Sequence, residues 1–555
     1  MQWQGRARFT IFDSDYGDGT RFSAVLQAWR ADPQRPLRLH YIALARSPLP
    51  GFRRVPQDEP GITLDVLHVL HVLPHAPLDL ALAQLDARLD AIDLHAMADQ
   101  GSGFARALAR LAVPGATLRA TGLTDAQARA LGGAGFHCST SDSGMISAVF
   151  TTRKPPSPWA RKAEVTRRAI VLGAGLAGSA ACERLCARGW EVTLVERHPA
   201  PAGEASGNLA GIYMPLLSKD DNIMTRLSRA SFLYALAYWD KLGGFGPDAM
   251  TGARCGVLQL ARDAGHARVQ AQIAQVHRYP AHYAQWLEPA EAGAWSGLPA
   301  PHGGWLFAQA GWARPASVCD VMLAACGDKL QRRFGAGKVA LSRQGALWRV
   351  ANEDGSVVAT APVVIVANGA GAIELAQTAA LPLTPVRGQV THLAAGEAPA
   401  LPFVLCREAY LTPAMNGWHS LGASYDNDQN RTLSAASQHQ NLEKIRSMLG
   451  DPGVGAQAPL AGRVGFRCVA PDRLPMVGAL PDPHLAGRTE RLREIPRQGG
   501  LYGLLGYASR GLIWAPLAAE LLAAQLNGDP LPLEADLVTA LDPARFLLRA
   551  RRHPV

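Results

Sequence analysis

The sequence predicts an α/β chain of two layered units joined by a basic, proline-rich linker. Three observations carry this. Apolar runs of strand length alternate with helical periodicity in both halves. A complete strand–helix–strand unit occupies residues 169–196, with glycines in its first turn. Between the halves, residues 152–168 hold three prolines and six basic residues, which cannot build a core element. The chain has 555 residues, too many for one ordinary domain at roughly 100–200 residues each.

In chain order, the first half reads as a strand over 8–12, a helix over 22–29, a strand over 37–44, and helices around 78–88 and 103–112. The second half opens with a buried strand over 169–172. A helix over about 176–188 and a strand over 191–196 follow. Residues 346–350 and 356–359 read as a hairpin across the turn Glu353-Asp354-Gly355. A buried strand over 362–367 ends at Asn368-Gly369-Ala370, and a helix is expected over 513–526.

Composition narrows the function classes. With 48% hydrophobic and 18% charged residues, the chain is neither disordered nor fibrous. No stretch approaches the roughly 18 uninterrupted apolar residues of a membrane helix, so no membrane partner is expected. The start, Met1-Gln2-Trp3-Gln4-Gly5-Arg6, lacks an apolar signal core, and a cytoplasmic location is expected. Eight cysteines without a CxxC pair suggest neither a disulfide framework nor a metal site. Cys182 and Cys186 read as buried thiols on a helix. The net charge of +9 permits a polyanionic partner such as nucleic acid, and equally a solvated linker and tail. Its excess gathers at Arg153-Lys154, Arg161-Lys162, Arg167-Arg168, Arg549, Arg551 and Arg552.

The chemistry begins at Gly173-Ala174-Gly175-Leu176-Ala177-Gly178, between strand and helix. Gly173 permits the tight turn, Gly175 lets backbone approach a pyrophosphate, and Gly178 lets the helix pack on the strand. The acid ending the next strand, Glu196, is placed to accept ribose hydroxyls. A second glycine-rich element, Gly503 to Leu512, precedes the last long helix. Two helix N-termini directed at opposite ends of one cofactor fit FAD better than NAD.

These motifs resemble the D-amino-acid-oxidase-like FAD oxidoreductases. So do Ala205-Ser206-Gly207-Asn208-Leu209-Ala210-Gly211, Pro385-Val386-Arg387-Gly388-Gln389, and the run from Pro471 through Met476 to Gly478. More specifically, Glu408-Ala409-Tyr410-Leu411-Thr412-Pro413, Gly417-Trp418-His419, Gly422-Ala423-Ser424-Tyr425-Asp426 and Gly462-Arg463-Val464-Gly465-Phe466-Arg467 resemble the oxidase half of the MnmC family. These are bifunctional tRNA 5-methylaminomethyl-2-thiouridine biosynthesis proteins. The resemblance covers about residues 165–550.

It implies a degenerate Rossmann-like methyltransferase domain over 1–151, the linker over 152–168, and an FAD-dependent oxidoreductase over 169–550. FAD-binding parts are expected at about 169–240, 335–375 and 470–530. An α+β substrate domain falls mainly in 240–335 and 380–465. Implied cofactor contacts, besides Gly173, Gly175, Gly178 and Glu196, are Leu176, Ala177, Arg197, Ser206, Asn208, Ala210 and Gly211. Val339, Ala367, Asn368, Gly369, Gly478, Gly506, Ser509, Arg510, Gly511 and Leu512 complete the set.

The implied reaction removes the carboxymethyl group from a carboxymethylaminomethyl wobble uridine of tRNA. The neutral amine loses hydride from the glycine α-carbon to the flavin, and water cleaves the imine to release glyoxylate. A carboxylate then needs a cation, and Arg467 matches the carboxylate-binding arginine of related glycine-oxidising enzymes. The other reading of Arg467 is a structural ion pair. Tyr410 donates to the same carboxylate or is a core tyrosine. Arg387 is either structural or close to the cofactor. Ser206 and Asn208 cap a helix or touch the cofactor. His392 and His419 read as core or surface histidines.

The first half resembles the family's methyltransferase half in scaffold and departs from it in chemistry. The scaffold matches are Leu26-Gln27-Ala28-Trp29, Leu39-His40-Tyr41-Ile42 and the run from Leu108 to Leu118. The expected E-x-G-x-G-x-G loop reads Asp13-Ser14-Asp15-Tyr16-Gly17-Asp18-Gly19. Ala45 stands where the ribose-binding acid is expected. His95 takes the place of the pocket aspartate in the run Asp93 to Asp99. The front is also shorter than the family's usual length by several dozen residues. An S-adenosylmethionine site is therefore expected to be lost. The alternatives are a bifunctional enzyme with Asp13 and Asp93 as replacement acids, and a small-molecule amino-acid oxidase.

Overall fold

The computed structural model describes residues 3–57, 59, 61–70, 78–95, 97, 100–141, 144–151, 166–456, 461–483 and 491–552. The chain divides into two compact units. One is Met1–Val165 with Leu521–Thr539, and the other is Thr166–Glu520 with Ala540–Val555. Most of the proline-rich stretch, residues 152–165, lies outside the described residues.

The first unit is built on an eight-stranded sheet. Its strand order is Gly51–Pro56, Ile62–Leu70, Arg38–Ser47, Arg8–Asp13, Leu89–Leu94, Ala112–Ala120, Ile146–Phe150 and Phe136–Thr140. The central strands run parallel, and antiparallel pairs close both edges. One face packs Phe12, Ile42, Leu82, Ile92 and Leu108, and the other Phe9, Ile11, Phe22, Trp29 and Tyr41. The helix expected over 78–88 stops at Ala83. The Gln84 and Leu85 N–H groups bond back three residues instead, to Ala81 and Leu82. Arg110 also donates to the carbonyls of Leu82 and Leu85.

The segment Leu521–Thr539 was not foreseen as part of this unit. Three arginines hold it. Arg8 donates to the carbonyls of Asn527 (2.7 Å) and Gly528 (2.8 Å). Arg38 pairs with the buried Asp529 at 2.8 Å. Arg54, itself bidentate with buried Asp65, donates to the Pro530 carbonyl at 2.7 Å.

The second unit carries a six-stranded sheet. Its order is Leu330–Arg333, Glu191–Val195, Arg168–Leu172, Val363–Val366, Arg497–Leu505 and Met476–Pro481. All neighbours are parallel except the last pair. The strand Leu330–Arg333 belongs here, although the sequence suggested the substrate region. Its register beside Val192 to Val195 makes it an edge strand of the six-stranded sheet. The expected hairpin is part of a three-stranded sheet of Val339–Gln344, Leu347–Asn352 and Val357–Ala361. A mixed eight-stranded sheet contains Tyr410–Leu411, Trp418–Gly422, Thr384–Ala394 and Ala461–Val469 as consecutive strands. Cys182 and Cys186 lie in the helix Leu176–Cys186 and are buried free thiols. Among the described residues no helix is long and apolar enough to cross a membrane, and no group of three metal-ligating side chains converges.

Candidate active site

A cavity of about 900 Å³ opens in the second unit. At one end stands the turn between the strand Arg168–Leu172 and the helix Leu176–Cys186. Gly173 has φ of +98°, a conformation L side chains rarely adopt. A Cβ there would lie 2.7 Å from the Cα of Asn368 and 2.8 Å from the Ala367 carbonyl. A Cβ on Gly178 would sit 1.8 Å from the Gly173 carbonyl, so this glycine packs helix on strand. The helix starts without a side-chain cap of its own. Instead the Leu176 N–H donates to the Ser206 hydroxyl at 3.2 Å. Ser206 is thus a capping partner reached across the turn.

Glu196 is buried and lines the cavity. One carboxylate oxygen accepts the Ala174 N–H at 2.7 Å and the other the His198 N–H at 2.9 Å. Those bonds fix the carboxylate and leave further lone pairs for hydroxyl or N–H donors. Asn208 accepts from Arg463 at 3.4 Å, and the same guanidinium donates to the carbonyls of Gly203 and Glu204. The helix Gly511–Asn527 begins beside the first rather than at an opposite end, because a Cβ on Gly511 would meet Leu176 Cδ1 at 3.1 Å. Two helix N-termini therefore open onto one cavity.

Most sequence-predicted residues line this space. Gly173, Gly175, Leu176 and Ala177 form the turn side, with Arg197, Ser206, Asn208 and Gly211 beside them. Val339, Ala367, Asn368 and Gly369 line it from the strands, and Gly506, Ser509, Arg510, Gly511 and Leu512 from the second turn. Three do not reach it. Gly178 is taken up by helix packing. Ala210 is buried behind Gly211. Gly478 pairs with Gly503 inside the six-stranded sheet, so its place is structural.

Arg467 and Tyr410 both line the cavity. Arg467 lies flat over Gly388, where a Cβ would approach its guanidinium to 2.0 Å. One nitrogen, Nη1, donates to the carbonyls of Arg387 (3.3 Å) and Ser424 (3.1 Å). Among the described residues no carboxylate pairs with Arg467, so the ion-pair reading is not what the structure gives. Tyr410 stays a phenol: burial pushes its pKa up to about 12, against the pull of Arg467. Arg510 has no carboxylate partner among the described residues either, and burial draws its pKa down.

Arg387 is structural. It is 1% exposed, and it pairs with Asp426 at 2.9 Å and donates to the carbonyls of Asn430 and Thr432. His392 and His419 are buried core histidines, and burial followed by Arg463 lowers the His392 pKa. The residue missed in the sequence is Tyr425. It lines the cavity while 61% exposed.

In the first unit, the Asp13–Gly19 turn is closed on itself. Asp13 accepts the Asp15 N–H (2.9 Å), Asp15 the Gly17 N–H (3.2 Å) and Asp18 the Thr20 N–H (2.9 Å). The Asp13 carboxylate also takes Arg21 at 2.8 Å and the Tyr41 hydroxyl at 2.5 Å. Asp93 is bidentate with Arg119 at 2.8 and 3.0 Å. Ala96, Ala98 and Asp99 of the family segment lie outside the described residues.

The sequence profile of the FAD dependent oxidoreductase family matches residues 168–525. Among solved structures, glycine oxidase from Geobacillus kaustophilus is similar with a TM-score of 0.57 and 20% identity. It covers 68% of this chain and 99% of its own. Iminodiacetate oxidase from Chelativorans sp. BNC1 is similar with a TM-score of 0.54 and 23% identity, covering 66% of this chain and 96% of its own. At these identities the likeness shows a shared fold. The tRNA 5-methylaminomethyl-2-thiouridine biosynthesis bifunctional protein MnmC of Azoarcus sp. (strain BH72) is 40% identical over 99% of this chain and 92% of its own length. Its namesake from Burkholderia pseudomallei (strain 668) is 39% identical over 100% and 92%. With its glycine cradle, strand-end acid and paired helix N-termini, the chain belongs to the FAD dependent oxidoreductases and, within them, to the MnmC family.

Proposed function

We propose that this enzyme oxidatively removes the carboxymethyl group from 5-carboxymethylaminomethyl-(2-thio)uridine at the tRNA wobble position. The products are the 5-aminomethyl base and glyoxylate. The observation that carries this is Arg467, a guanidinium fixed through one nitrogen by two carbonyls and unpaired with any described carboxylate. Its free edge suits a bidentate carboxylate.

The FAD cradle fits its group. The Gly173–Ala177 turn and the Gly506–Leu512 turn would hold the phosphates and the pyrimidine edge at their helix N-termini, and Glu196 would hold the ribose. When bound, FAD supplies a two-electron acceptor for the hydride leaving the glycine α-carbon. Arg467 holds the substrate carboxylate, Tyr410 donates its phenolic hydrogen to the same group, and Arg510 adds positive charge nearby. Together they fix the α-carbon with its amine uncharged, so positioning carries the catalysis. Water adds to the oxidised carbon–nitrogen bond, and cleavage of that bond leaves the amine on the base. Action on tRNA fits a cytoplasmic enzyme.

The first unit is proposed to transfer no methyl group. The N–H groups that a cofactor would need already serve Asp13, Asp15 and Asp18, and both replacement acids are held by arginines. A small-molecule oxidase is the weaker reading, since the similarity to tRNA-modifying relatives runs the length of the chain.

The test is mass spectrometry of the wobble uridine after carboxymethylaminomethyl tRNA meets the purified protein and S-adenosylmethionine. The aminomethyl base is expected, without its methylated successor. Arg467→Lys should lower kcat/KM by about 100-fold or more with the flavin spectrum unchanged. Absence of the aminomethyl base with wild-type enzyme would overturn the oxidation, and a methylated base would overturn the inactive first unit.

A further inference from the structure

The most exposed large aromatic side chain on the cavity wall is Tyr425, at 61%. One face of its ring is covered by Arg467, whose Cζ stands 4.1 Å from the ring centroid. Nothing else among the described aromatic rings stacks on it. An exposed phenol on a surface loop would normally be mobile and costly to order. Here the loop is pinned on both sides of the ring. The Ser424 hydroxyl donates to Asp426 at 2.7 Å, and Asp426 pairs with the buried Arg387. Arg387 also exchanges backbone hydrogen bonds with Asp426 and reaches the carbonyls of Asn430 and Thr432. Gln389 accepts the Ser434 N–H at 2.8 Å, closing the loop's far end. The frame thus holds an apolar plate open to water at the cavity wall, with its ordering cost met before any ligand arrives.

We propose that Tyr425 is the stacking platform for the wobble nucleobase; this rests on the tRNA substrate proposed above. The reacting glycine unit is small and needs no aromatic plate. The rest of the substrate is a planar pyrimidine, joined to the glycine carboxylate through a short methylene–amine–methylene arm. Two recognition groups in contact with each other answer those two ends. Arg467 takes the carboxylate and Tyr425 takes the ring face. Arg431, on the same loop, is committed to an ion pair with Glu204 at 3.4 Å and takes no part in this recognition. Tyr425 therefore sets specificity for a base-linked amine over a free one.

The experiment is a binding cycle with the FAD-loaded, full-length protein at fixed salt. The probes are two anticodon stem-loop RNAs, one with uridine and one with an abasic sugar at the wobble position. Wild-type protein should prefer the uridine RNA by about tenfold. Tyr425→Leu should bring that preference to within about twofold, and Tyr425→Phe should retain it, since the ring rather than the hydroxyl does the stacking. A Leu variant that keeps the preference overturns the platform. So does wild-type protein that binds both RNAs equally, with the tRNA reading left standing. Wild-type protein that binds neither RNA overturns both.

Discussion

The molecule contains two strand–turn–helix elements of one design, and they differ in who satisfies the backbone. In the second unit, the turn after Leu172 is made of small residues. Its carboxylate comes from the next strand, as Glu196, and its helix start is capped by the distant Ser206. The turn surface is left to the cavity. In the first unit, the turn after the strand Arg8–Asp13 carries its own carboxylates at positions 13, 15 and 18, and each accepts an N–H two residues on. The turn is complete without a ligand. Phosphate- and nucleotide-binding turns work because their donors are unsatisfied by protein. Adding acids to such a turn gives it internal partners and a negative charge where a ligand would have sat.

The largest expected difference comes from adding one methyl group to each strand–turn–helix element. Gly178→Ala must move the helix off the Gly173 carbonyl, and we expect less than a tenth of the wild-type flavin content by absorbance near 450 nm. Gly17→Ala meets nothing nearer than an Arg21 nitrogen at 3.7 Å. It should cost the first unit about 1 kcal/mol through its positive φ and leave the flavin untouched. Equal flavin loss in both variants would break the comparison.

A smaller effect is expected from Asp13→Asn, which strips the charge that Arg21 and Tyr41 share. Asp13 is fully buried but Arg21 is half-exposed and can turn to water, so losing the charge-assisted bonds should destabilise the first unit by about 2–3 kcal/mol. Hydrogen exchange in its central strands would show this, with the oxidation rate unchanged. If the first unit instead became more stable or bound S-adenosylmethionine, the closed-turn account would fail.

The smallest effect is a pH dependence confined to the first unit. Burial, followed by the charge of Arg53, pulls His68 from its usual value down to about 4. Its folded pKa lies below its unfolded one, so the unfolded chain binds the extra proton between about pH 6.5 and 4. Stability should fall as pH falls through that window, by on the order of 2 kcal/mol. His68→Gln should flatten this slope in a thermal melt of the full chain, and an unchanged slope would assign it elsewhere.

The cofactor turn was legible because its demands are local. Gly173, Gly175 and Gly178 are adjacent in sequence, and each steric reason acts within a few residues. Arg467 was legible through resemblance, but its freedom from an ion pair was not. That depends on Gly388, far back in the chain, vacating the space where its guanidinium lies. Arg387 was left between two roles because its partners, Asp426, Asn430 and Thr432, are distant in the chain. Tyr425 was quoted within a motif and passed over, since exposure is a property of the fold. The helix end at Ala83 was missed because Arg110 and the local turn outweigh helical periodicity there.

The segment Leu521–Thr539 has a consequence for how the protein is made. The arginines at positions 8, 38 and 54 emerge from the ribosome early, yet their acceptors are encoded more than 450 residues later. During synthesis the N-terminal unit lacks these late carbonyl and carboxylate acceptors while the whole flavoprotein unit is translated. Its final consolidation waits until Leu521–Thr539 has been made. A messenger cut short anywhere in that interval yields a front unit lacking its own last piece, and a ready target for quality control.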